Sequence, residues 1–125
     1  MDAMDRFNRL NTFRAQAIHA YRMIAKMLMA LPIPIELGTA VDRDPGEAME
    51  EIERTRDLLR EVPMGPGIRA EADLVLTDWL TAMSLSWAAS ASDDLDGWMW
   101  RSATINIMRA DNGADDVIAR INAGE

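Results

Sequence analysis

Six carboxylates fall close together in the middle of this chain: Glu47, Glu50, Glu51 and Glu53, then Glu71 and Asp73. Hard cations such as Mg²⁺ take carboxylate oxygens, and two facing helices can each supply part of the set. Under that reading Glu47, Glu50, Glu51 and Glu71 would hold the metal of a small all-α hydrolase. Arg54, Arg56 and Arg60 are interleaved with these acids. Glu50 with Arg54, Glu53 with Arg56 and Asp57 with Arg60 have the spacing of helical ion pairs, which favours a solvated, salt-bridged face over a metal cage. Mg²⁺ enters only under the hydrolase reading; without it the residues call for no cofactor.

All-α nucleotide pyrophosphatases carry Glu-Glu-x-x-Glu on one helix and Glu-x-x-Asp on the next, and this chain departs from both patterns. After Glu50-Glu51 the third acid, Glu53, comes one position early, and Glu71 is followed three residues on by Leu74. Other chemistries have still less to work with. His19 is the sole histidine and there is no cysteine, so thiolate metal sites and cysteine nucleophiles are excluded. Ser84, Ser86, Ser90 and Ser92 lack the strand-turn-helix setting of a nucleophile elbow. The Pro63-Met-Gly-Pro-Gly67 run has neither the lysine nor the amide-rich arc of a phosphate loop.

Four tryptophans and ten methionines are the remaining distinctive side chains. Trp79 and Trp87 sit on the most apolar stretch and are expected in the core. Trp98-Met99-Trp100 places two indoles about 200° apart on a helix, so they cannot share one face. Tryptophan is a common interface anchor and methionine adapts to irregular surfaces, which makes Trp98, Met99 and Trp100 candidates for a contact site.

The elements that must position these residues are helices. Residues 2–31 keep an apolar seam through Ala3, Phe7, Leu10, Ala17, Tyr21, Ile24, Leu28 and Leu31, interrupted by Arg14. Such a helix would be about 45 Å long, against a radius of gyration near 14 Å for a compact chain of this size. It must bend, project or find another chain. A single copy is expected to leave much of its apolar face uncovered, with Phe7, Leu10, Arg14 and Tyr21 as its contact residues.

Leu31-Pro-Ile-Pro-Ile-Glu-Leu-Gly38 ends this helix and predicts an extended segment, followed by a loop over 38–43. Asp44-Pro45-Gly46-Glu47 is a helix start, with a cap residue, a proline in the first turn and an acid three residues on. A second helix is expected to about Val62. The central helix, Ile68 to Ala91, is apolar on most of its circumference and predicts burial on several flanks. A fourth helix is expected from about Asp93 to Ala110, with Leu95, Trp98, Ser102 and Ile105 along one face. Asp111-Asn-Gly113 should stop it, leaving a short last helix over Ala114 to Asn122.

The sequence therefore predicts an all-α, bundle-like single domain over residues 1–125: four main helices, a long amphipathic first helix, a Pro-Ile-Pro segment and a short C-terminal helix. The net charge of −8 is unevenly spread, with +3 over residues 1–30 and −11 over the rest. An acidic body argues against nucleic-acid binding. No apolar run has the length of a membrane span, and Asp2 and Asp5 do not fit a secretory signal, so a cytoplasmic protein is expected. The functional expectation is a non-enzymatic interaction module with a protein partner, self-association included.

Overall fold

The computed structural model describes residues 1–38 and 44–125. Four α-helices follow in order: α1 Ala3–Met29, α2 Pro45–Leu59, α3 Pro66–Ala91 and α4 Trp98–Asn122. No strand occurs among the described residues, and the helices pack on one another around a continuous apolar core. The expected loop over 38–43 falls, for residues 39–43, outside the described part.

Local chemistry fixes the helix ends. The Asp2 carboxylate accepts the Asp5 amide at 2.8 Å to start α1. Asp44 accepts the Gly46 and Glu47 amides at 3.0 and 3.3 Å to start α2, with Pro45 in its first turn. Past α1, Pro32 and Pro34 keep residues 31–38 out of helix, and Ile35 donates its amide to the Leu28 carbonyl at 3.1 Å, folding the segment back on the helix end. At the end of α3, Asp93 takes a left-handed conformation, φ 54°. Asp94 then donates to the Ala89 carbonyl at 2.9 Å, a Schellman-type closure of the helix.

The most extensive packing is α3 against α4, followed by α1 against α4, with α2 and α1 also laid on α3. Two aromatic pairs tie α1 into this core. Trp79 donates its indole N–H to the Ala17 carbonyl at 3.1 Å and packs against the Tyr21 ring, centroids 5.4 Å apart and planes tilted by 54°. Phe13 lies 5.0 Å from Trp100 of α4. From Phe13 onward the inner face of α1 is closed by its own chain, with Ala17, Ala20, Tyr21, Ile24, Met27 and Leu28 all buried. The first helix therefore does not project, and the largely uncovered apolar face expected for it is confined to Met4 and Phe7 in its first two turns and Met29 in its last. Arg6 pairs with Asp93, and Arg9 donates to the Leu95 carbonyl at 2.7 Å, so even this end is tied to the α3–α4 turn.

Two expectations about α4 are corrected. It begins at Trp98 rather than near Asp93, because Asp93 and Asp96 lie in the turn and receive Arg6 and Arg9. It also runs unbroken through Asp111-Asn112-Gly113 to Asn122, so there is no separate C-terminal helix. A Cβ on Gly113 would lie 2.8 Å from Val75 Cγ2; the glycine is there to let α3 approach. The inward face of α4 carries Ala103, Ile107, Ala110, Ala114 and Val117, while Trp98 and Ile105 point outward. α3 is central as expected, yet it is not closed on every side: Leu74 is 49% exposed and Trp87, about 140° around the helix from it, 48%.

Candidate interaction groove

The residues on the open side form a groove because the helices differ in length. α1 and α3 have 27 and 26 residues, whereas α2 has 15, so it spans about 22 Å beside neighbours of about 40 Å. α2 runs antiparallel to α3, with Pro45 near Met83 at one end and Arg56 Nε on Asp73 at 3.0 Å toward the other. It lies on α3 with Ala48, Ile52, Thr55 and Leu59 buried, and its Glu51 reaches Tyr21 of α1, so it covers part of the α1–α3 crevice. Beyond Pro45 the crevice continues with no described residue lying across it.

That open part is a cavity of about 200 Å³. Leu10, Arg14 and Ile18 line it from α1, and Met83, Trp87 and Ser90 from α3. Its floor is Phe13, Ala17, Ser86 and Trp100, all buried. Phe7, 58% exposed, lies one helical turn beyond Leu10 on α1. The Ser86 hydroxyl donates to the Met83 carbonyl at 2.8 Å, so the floor presents mainly carbon and ring surface. An apolar, elongated site without a nucleophile and base in contact suits recognition of apolar side chains.

The candidate residues divide among three places. Leu10 and Arg14 line the groove, Trp100 lies in its floor against Phe13, and Phe7 is exposed on α1 outside the lining. Tyr21 is 2% exposed and serves the interior. Its phenol oxygen lies 2.8 Å from Glu51 Oε2 and 3.1 Å from the Gly38 carbonyl oxygen, while the Gly38 amide donates to the same carboxylate at 3.1 Å. Burial, then the Glu51 carboxylate, pushes the Tyr21 phenol well above the ordinary range. Trp98, 69% exposed, and half-buried Met99 begin α4, where Trp98 belongs to that helix's outward face. Reading composition alone put Trp87 in the core; the shortness of the proline-bounded second helix was the signal that it would be left uncovered.

The carboxylates do not assemble. Glu51 is bound to Tyr21 and Gly38, Glu71 pairs with Arg120 at 2.6 Å, Asp73 with Arg56 at 3.0 Å, and Glu47 and Glu50 are exposed. Among the described residues no three His, Cys, Asp or Glu side chains are grouped to hold a metal ion. Arg56 crosses to α3 instead of pairing along its own helix. His19 Nδ1 lies 3.2 Å from Asp111 of α4 on the surface. The buried acid is Asp78, with Arg109 Nε at 3.7 Å; burial raises its pKa and the guanidinium opposes that.

No family model, no curated protein and no solved structure matches this chain. Among the described residues no helix is long and apolar enough to cross a membrane.

Proposed function

We propose that this protein is a non-enzymatic interaction module that receives an amphipathic helix of a protein partner in the α1–α3 groove. The observation that carries the reading is the partly covered crevice. One stretch is filled by α2 through residues spaced as Ala48, Ile52, Thr55 and Leu59, and the continuation beyond Pro45 offers similarly apolar walls. A helix of about three turns, collinear with α2 and carrying apolar residues at i, i+4 and i+7, completes the bundle. Trp87, half exposed on the α3 wall, is the anchor such a helix would cover, opposite Leu10 and Ile18 of α1. The cysteine-free composition suits a cytoplasmic setting.

The test is a photo-crosslinking amino acid placed at position 87 and, as control, at equally exposed Leu74, in cells of the source organism. The reading expects adducts at 87 alone, on partner residues spaced three and four apart. Equal yields at both positions, or adducts without helical spacing, would overturn it.

A further inference from the structure

The outward face of α4 carries a second feature that goes beyond the groove and does not depend on it. Trp98, Arg101, Ile105, Met108, Asn112 and Asp115 follow one another at alternating three- and four-residue steps, and all six are exposed. That is the seven-residue spacing of a two-helix seam. Trp98, Ile105 and Met108 are 69%, 57% and 53% exposed, while the face turned to α1 and α3 already buries Trp100, Ile107 and Val117 together with Ala103, Ala110 and Ala114. A helix that needs only solvent on its outer side has no reason to put bulky apolar residues there.

We propose that α4 pairs with α4 of a second copy of this chain, antiparallel, about a twofold axis between Ile105 and Met108. The charge along the stripe selects this partner and this direction. The N-terminal end carries the indole of Trp98 and the cation Arg101; the C-terminal end carries Asn112 and Asp115. Antiparallel pairing seats Ile105 on Met108 of the second copy and brings each Arg101 between the other chain's Asn112 and Asp115. Parallel pairing would instead stack Asp115 on Asp115 and Arg101 on Arg101. Arg101 donates one hydrogen bond to the Asp96 carbonyl at 3.0 Å, which leaves further guanidinium donors for the second copy. The indole N–H of Trp98 meets acceptor oxygens at the same end. With −8 on each copy, the two cross-chain ion pairs set register and direction, and the apolar seam supplies the affinity.

Sedimentation velocity over a concentration series of the full chain tests this. The wild type is expected to populate a dimer that Ile105→Lys abolishes and Trp98→Ala weakens at least about tenfold, with helicity unchanged because both sites are on the surface. Arg101→Asp and Asp115→Arg each weaken the dimer, and the two together restore it. A wild type that stays monomeric, or a dimer indifferent to I105K and W98A, overturns the proposal. A double charge reversal no better than either single one overturns the antiparallel arrangement. None of these outcomes touches the groove, since all four substitutions lie on the opposite side of α4 from α1 and α3.

Discussion

At the scale of single residues, the interior is held by a few polar contacts whose loss has a definite sign. Trp79→Ala removes a side chain with no exposure and should cost about 3–5 kcal/mol in chemical denaturation. Trp79→Phe keeps much of the ring but leaves the Ala17 carbonyl without its indole donor, a penalty of about 1–3 kcal/mol. Tyr21 is the only tyrosine, so alkaline difference absorbance reads it alone. Its phenol is raised by burial and by Glu51, so between the ordinary unfolded value near ~10 and the folded one the native state binds the extra proton. Its contribution to stability is complete below that unfolded value and is lost as pH rises beyond it. Phenolate should therefore appear together with unfolding; ordinary titration in a folded protein would contradict the Glu51 contact.

Asp78 titrates from the other side. Burial raises its carboxyl, so the folded state holds a proton that the unfolded chain has already released, and this residue's contribution to stability falls as pH climbs from acid to neutral. Asp78→Asn is expected to stabilise the protein at neutral pH, with the gain shrinking as pH drops through the carboxylate range. A variant less stable than its parent at neutral pH would mean that the Arg109 pair outweighs burial. The acid cluster that first invited a metal was legible as residues only. What Glu51 and Glu71 bind could not be read, because Tyr21, Gly38 and Arg120 reach them from distant parts of the chain.

At the scale of elements, starts and stops with a single physical meaning were legible. Asp44-Pro45 caps α2, and Pro32 with Pro34 ends α1, because each does one thing to the backbone. Asp111-Asn-Gly113 carries two meanings. It is a turn signal in isolation and a close-contact position when Val75 packs against it, and only the partner helix decides. Gly113→Ala should therefore destabilise by about 1–3 kcal/mol through overpacking, more than the gain of up to about 1 kcal/mol from alanine's helix propensity. Adding Val75→Ala should recover part of the loss, a coupling read from the double-mutant cycle. The inward face of α4 was not legible for a related reason: Trp98 and Ile105 and, opposite them, Ala103, Ile107 and Ala110 all keep helical spacing, so periodicity alone does not say which side meets the core. Here small residues face inward and let the helices close up.

At the scale of the whole molecule, three long helices and one short one leave part of the α1–α3 crevice uncovered among the described residues, and that mismatch is the basis of the interaction reading. The lengths of α1, α2 and α3 were legible from prolines and periodicity, that of α4 was not; nor was the groove, because it depends on where α2 comes to rest along its neighbours. The expectation that a single copy would leave much of the first helix's apolar face uncovered is narrowed, since Phe13, Ala17, Ala20, Tyr21, Ile24, Met27 and Leu28 are buried within the chain. What remains for a partner is narrower and better defined: the stretch from Leu10 to Ile18, facing Met83 to Ser90.

The most direct test is calorimetric titration of the partner segment captured at position 87, as a synthetic peptide, into the wild type and into Trp87→Ser. The account predicts that the peptide gains helicity on binding the wild type and that the serine variant, still fully folded, binds at least about tenfold more weakly. A peptide that binds both proteins equally, or that binds without becoming helical, would contradict it.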